Sequence, residues 1–398
     1  MSRRGAGGAP WRPRFLSRAE WGSFGRRSRQ VLLFAALTGL LTGAAVAGFE
    51  YAINEKLLPW VESWPLGLQA IAPAVGLIGA ALALRHLAGG ASPEMVDDYI
   101  SNTHDRHRRL DQRPVVGRLV ASVATLGLGG TMGFEGPSVY LGAAIGSRLQ
   151  ARLSRYFSRD DAKTLMVAGA AAGLAAIFKA PATGAVFAIE VPWQSDLSGR
   201  MVLPALCGSA VGYTTFAALR STTPLLPIRG GSPFDLVDLG GALVVGLACG
   251  LGARLFAAAL RATKREAHRG RLPVRVLVAG AILAALALAS NAMAGAPYTL
   301  GPGYRAIGWA LDPHQRLAVV GALLLMRAVA VLATVGGGGT GGLFIPLVVE
   351  GALLGRILGG LAGNPAGSLF PVLGIAAFLG AGYRTPLTAV MFVAETTG

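Results

Sequence analysis

The feature that most restricts this chain is a set of long stretches with no charged residue: 31–49, 65–84, 201–219, 239–253 and 276–304. An apolar run of about 18 residues or more is long enough to cross the hydrocarbon core of a bilayer as a helix. Two further charge-free stretches, 119–134 and 328–349, are rich in glycine and read as tilted or broken helices. The fold class expected is an all-α polytopic membrane protein.

Only 14% of the 398 residues are charged, yet the net charge is +16. That balance would suit nucleic acid, but the basic residues sit at the edges of apolar runs without interleaved aromatics, which excludes such a partner. Residues 1–30 hold eight arginines and one acid, Glu20, and Arg261–Arg275 reads as a similarly basic loop. Positive charge flanking spans marks the cytoplasmic side, so the N-terminus is expected there. The basic leader is too long for a secretory signal. Richness in Gly, Ala and Arg points to a bacterial source, hence to a multi-pass protein of the inner (plasma) membrane. Cys207 and Cys249 lie inside apolar runs and read as small buried hydrophobes. There is no metal-ligand spacing, phosphate loop or dinucleotide fingerprint, so no metal and no cofactor is expected. No nucleophile–base pair stands out within the spans, which argues against an enzyme. Histidines such as His104 and His107 read as solvated, and the basic run at 105–109 as a topology signal.

The chain repeats itself. Gly129-Gly130-Thr131-Met132-Gly133-Phe134-Glu135-Gly136-Pro137 returns as Gly338-Gly339-Thr340-Gly341-Gly342-Leu343-Phe344-Ile345-Pro346, at an offset of 344 − 135 = 209. Arg118, Gly142 and Gly146 return as Arg327, Gly351 and Gly355 at the same offset. Pro181, Thr183, Phe187 and Glu190 return as Pro386, Thr388, Phe392 and Glu395, at 386 − 181 = 205. Residues 31–220 and 221–398 therefore read as two membrane repeats behind the basic segment 1–30. Duplicated halves suit a transport fold of inverted repeats, with substrate bound near mid-membrane where broken helices meet.

Each glycine-rich segment ends in proline, Pro137 or Pro346, a residue favoured in the first turn of a helix. The first N–H groups of a helix have no internal partner, and the helix dipole adds partial positive charge there. Together they form an anion site without a formal cation. Backbone amides hold an anion such as chloride firmly enough to bind it and weakly enough to release it. The amides of Phe344 and Ile345, and those around Glu135 at Gly133 and Gly136, are the candidates. Glu135 is a carboxylate where a charge costs about 3 kcal/mol or more. Placed at a helix N-terminus it can mimic the anion, occupy the site and release it when protonated. Glu135 is thus a candidate gate and proton acceptor.

Here the residues resemble a family. Gly133-Phe134-Glu135-Gly136-Pro137 and Gly342-Leu343-Phe344-Ile345-Pro346 are similar to the two pore elements of CLC chloride channels and proton/chloride antiporters. Phe178-Lys179-Ala180-Pro181 with Gly184 and Glu190, and Arg384-Thr385-Pro386-Leu387-Thr388, look like two further segments. The resemblance implies a CLC-type inverted-repeat helical bundle, a homodimer in the lipid bilayer with one pore per subunit, and chloride as the transported ion. It implies Glu135 as the gating glutamate, chloride bound by the amides of Phe344 and Ile345, Gly342 as part of that element, and Arg118 as a buried cation beneath the pore helix.

The chain departs from the family pattern in four places. Gly90 stands at the position of a chloride-coordinating serine, with Ser92 two residues on. Phe134 replaces a basic residue beside the gate. Val191 stands where antiporters carry a second proton glutamate, which leaves Glu190 as the possible relay. The family's last helices, one bearing an ion-contacting tyrosine, are not found before Gly398. Val191 favours channel-like or weakly proton-coupled chloride transport as the leading expectation. A proton-coupled chloride or fluoride antiporter is the alternative, and a non-transporting structural or receptor protein the different-class one.

Overall fold

The computed structural model describes residues 18–105, 110–157, 163–192, 199–220, 225–226, 236–363 and 367–397. The apolar runs become helices. α1 (Arg18–Glu50) passes through a π-helical segment, Tyr51–Leu57, into α2 (Leu58–Glu62). There follow α3 (Leu66–His86), α4 (Met95–His104), α5 (Val115–Gly127), α6 (Glu135–Arg152), α7 (Thr164–Phe178), α8 (Pro181–Glu190) and α9 (Gly199–Leu219). The second half runs α10 (Leu236–Arg269), α11 (Leu272–Ala294), α12 (Tyr304–Ala310), α13 (Leu317–Gly336), α14 (Phe344–Leu361), α15 (Leu369–Tyr383) and α16 (Pro386–Thr396). Among the described residues seven helices are long and apolar enough to cross a membrane, so the chain is an all-α multi-span protein. Leu243, Leu247, Leu251 and Leu255 recur every fourth residue along α10 and are 60–67% exposed, an outward apolar stripe of the kind lipid covers.

One sequence expectation is corrected in detail. The stretch from Arg261 to Arg275 is not a loop: α10 continues to Arg269 and α11 starts at Leu272. Its Ala, Arg, Lys and Glu residues are good helix formers, and a short turn is all that separates the two helices. The glycine-rich stretches do break, and each new helix takes its proline into its first turn, starting at Glu135 and at Phe344. His107 and most of the run at 105–109 lie outside the described residues, while His104 closes α4.

The repeat is visible element by element. α6 and α14 each have 18 residues and begin 209 apart (344 − 135). The connection from α6 to α7 is residues 153–163 and that from α14 to α15 is 362–368, four fewer, which lowers the offset to 205. α7 and α15 both end on a left-handed non-glycine residue, Lys179 at φ 57° and Arg384 at φ 60°. A proline then opens the next helix, Pro181 in α8 and Pro386 in α16.

Contacts between the halves come in exchanged pairs. Gly133 N–H donates to the Gly342 carbonyl and Gly342 N–H to the Gly133 carbonyl, both at 2.8 Å. Thr131 N–H donates to Thr334 Oγ1 at 3.2 Å, and its repeat mate Thr340 N–H donates to Thr125 Oγ1 at 3.0 Å. When residue i of one half meets j of the other and the mate of j meets the mate of i, a two-fold axis relates them. That axis passes between Gly133 and Gly342. Glycines elsewhere let helices touch: a Cβ on Gly142 would lie 2.0 Å from the Gly169 carbonyl oxygen, and one on Gly355 would lie 2.2 Å from that of Phe370.

Candidate functional site

α6 and α14 begin beside the Gly133–Gly342 bridge, so their unpaired first amides face a common centre. The Glu135 side chain occupies it. Glu135 is fully buried, and its Oε1 accepts the N–H of Phe344. The amides of Ile345 and of Glu135 itself lie close to the carboxylate. Oε2 has no partner among the described residues. A negative side chain therefore sits on the N-terminus of a helix from the opposite half, where the dipole and free amides favour an anion.

The glycines around it leave room for the carboxylate. A Cβ on Gly133 or on Gly342 would lie 2.0 Å from a carboxylate oxygen of Glu135, and one on Gly136 would lie 2.8 Å from the Gly341 carbonyl oxygen. Phenylalanine rings close the far side: Phe178 and Phe392 lie 4.5 and 4.9 Å from Phe344 between ring centroids. Pro137 and Pro346 sit in the first turns of α6 and α14.

Other residues singled out from sequence fall elsewhere. The Gly133 N–H is taken by the Gly342 carbonyl, so it offers no donor to an anion. The Gly90 N–H is taken by the Leu84 carbonyl at 2.9 Å, and the Ser92 hydroxyl accepts the Glu94 N–H at 3.2 Å. Both line a cavity of about 660 Å³ that reaches Gly342 and Leu343 and includes Val191 in its wall. Arg85, Lys264, His268 and Arg275 also face this cavity, together with the acids Glu94 and Asp97 that pair with Lys264. Glu190, the expected relay, is engaged: its carboxylate accepts the N–H groups of Leu387 (3.0 Å) and Thr388 (2.7 Å) and the Thr388 hydroxyl (2.6 Å). Glu395 does the same for Ala182 and Thr183 at the start of α8. Each glutamate caps a helix of the other half.

Arg118 is buried against α6, its guanidinium 4.9 Å from the Tyr140 ring. Its Nε donates to the Ser92 carbonyl (2.8 Å) and its Nη1 meets Asp98 at 2.5 Å. Its repeat mate Arg327 is fully buried and clamps the carbonyls of Tyr298, Gly301 and Pro302. Sequence reasoning missed Asp98, the Thr125/Thr334 pair and Tyr383, which borders the cavity beside Leu343. The threonines carried a signal, being 209 apart (334 − 125) and hence repeat mates. Asp98 carried none, since position 307, its counterpart at the 209 offset, is Ile307, whereas Tyr383 did: at the 205 offset its mate is Phe178, the aromatic residue that ends α7.

The family model described as voltage gated chloride channel matches residues 74–398. The chain belongs to that family. Among its chloride channel family relatives, the "H(+)/Cl(-) exchange transporter ClcA" of Salmonella paratyphi A (strain ATCC 9150 / SARB42) is 28% identical, over 92% of this chain and 81% of the relative. ClcA of Klebsiella pneumoniae (strain 342) is 27% identical with the same coverage. Among solved structures of the family, a CLC-type fluoride/proton antiporter superposes with a TM-score of 0.79 at 26% identity, over 96% of this chain and 92% of the other. A slow cyanobacterial Cl−/H+ antiporter has the same fold, with a TM-score of 0.79 at 23% identity over 92% and 89% of the two chains.

Proposed function

We propose that this protein exchanges a small halide, chloride, for protons across the membrane, with Glu135 as both gate and proton acceptor. The observation that carries the reading is the buried Glu135 carboxylate on the first amides of α14. Those amides would also bind the anion, so carboxylate and anion compete for one seat. Leaving the seat as a neutral acid is far easier than leaving as a bare charge in low dielectric, so a proton on Glu135 frees the place for the ion. Relatives and a structural neighbour named as proton exchangers support this coupling over the channel-like mode suggested by Val191. The working unit is a pair of chains in the bacterial plasma membrane, each with its own seat, with residues 1–30 on the cytoplasmic side.

The test is halide efflux from liposomes with simultaneous recording of external pH. Chloride leaving the wild-type vesicles should drive proton uptake, and Glu135→Gln should keep halide flux while abolishing proton movement. Chloride flux without protons in the wild type would overturn the exchange reading. Flux of fluoride but not chloride would reassign the ion to the class named for the fluoride/proton antiporter.

A further inference from the structure

Coupled exchange needs a proton to travel between the cavity and Glu135. Val191 on the cavity wall has no ionisable atom, and the Glu190 carboxylate already serves three donors of α16. The structure places a different pair on this route. Tyr383, the last residue of α15, borders the cavity beside Gly342 and Leu343, and Asp97 of α4 borders it too. The Tyr383 ring lies 5.8 Å from that of Phe187 and 5.9 Å from that of Phe344, which fixes it next to the start of α14. The same Phe344 gives its N–H to the Glu135 carboxylate, so the phenol and the acid flank one residue of α14. A phenol hydroxyl can donate its own proton and accept another. Glu135 in turn has Oε2 unpartnered.

We propose that Tyr383, supplied by Asp97, passes the proton between the cavity and Glu135. This rests on the exchanger reading above. The charged or titratable groups facing the cavity are Arg85, Glu94, Asp97, Lys264, His268 and Arg275. Lys264 binds Glu94 at 2.6 Å and stands 3.5 Å from Asp97, whose side chain is 59% exposed against 36% for Glu94. Asp97 is thus the less tightly held acid and the one more open to water. A proton taken up by Asp97, or by a water beside it, goes to the Tyr383 oxygen as the hydroxyl's original proton moves to Glu135. One O–H bond breaks and one forms at the tyrosine oxygen, the phenol is regenerated, and Glu135 becomes a neutral acid able to leave the α14 amides. At a liquid-water share of about 30 Å³ each, the 660 Å³ cavity has room for roughly twenty waters to complete the path.

The test uses the full chain in liposomes, comparing wild type, Tyr383→Phe and Asp97→Asn for chloride efflux and proton uptake, with monodispersity checked in detergent. Both variants should keep chloride efflux and lose proton uptake by about a hundredfold, the scale of a positioned proton-transfer group. A merely structural role would lower both fluxes together. If Tyr383→Phe does not fold, the exposed Asp97→Asn carries the test alone. Unchanged proton-to-chloride ratios in folded variants overturn this proposal and leave the exchanger reading standing. A ratio lost in Tyr383→Phe and kept in Asp97→Asn removes Asp97 from the route. Chloride efflux without proton movement in the wild type overturns both readings.

Discussion

A single methyl group is enough to probe the seat of Glu135. In Gly342→Ala the new Cβ would fall 2.0 Å from a carboxylate oxygen, so the side chain must leave the α14 amides. The expected result is halide flux that no longer waits for protonation, with the proton-to-halide ratio lowered about tenfold or more in the liposome assay. Gly142→Ala puts its Cβ equally close, 2.0 Å, to the backbone oxygen of Gly169, which cannot swing away. Its effect should be on stability, about 1–3 kcal/mol of overpacking, read as a lower thermal midpoint in detergent with coupling unchanged. Sequence alone marks both glycines as repeat residues with Gly351 as a mate of Gly142. It does not separate them, because only the folded chain shows that one faces a side chain and the other a helix backbone.

At the scale of elements, the two caps give a paired prediction. Glu190→Gln and Glu395→Gln each weaken a carboxylate that holds two amides and a hydroxyl at the start of α16 or α8. Each should lower stability by about 1–3 kcal/mol, the worth of hydrogen bonds to a charged group. Thermal unfolding should show similar shifts, and proton coupling should be equal in the two variants. Coupling lost in Glu190→Gln alone would restore Glu190 as a relay. The 205-residue offset makes the pair legible as a repeat. The amides that they cap belong to the opposite half, and no local pattern predicts how two halves dock. The break between α5 and α6 was legible for a related reason: glycine and proline punctuate locally, whatever the rest of the chain does.

For the whole molecule, the arrangement of helices predicts sidedness. Arg265 lies near the end of α10 and His314 between α12 and α13, with the 23 residues of α11 between their two ends. At 1.5 Å per residue that helix is about 35 Å long, enough to span a bilayer. An impermeant maleimide should label His314→Cys in intact cells and Arg265→Cys only after permeabilisation. Native Cys249 is buried and Cys207 partly so, its thiol donating to the Leu32 carbonyl, which keeps the background low. Labelling of both sites from outside would contradict the orientation drawn from basic residues. The spans themselves were legible from charge-free runs. The inner cavity was not, because its wall draws on α3, α4, α10, α11, α13, α14 and α15, residues far apart in the chain.

The local two-fold axis between Gly133 and Gly342 has a bearing on direction. A body with such an axis lying in the membrane presents the same face to both sides and has no intrinsic sense of in or out. At the centre this likeness fails: the repeat mate of Glu135 is Phe344, an acid against a hydrocarbon ring. The duplicated scaffold supplies the doorway, and the exchange of an acid for a ring at its centre gives it a hinge side.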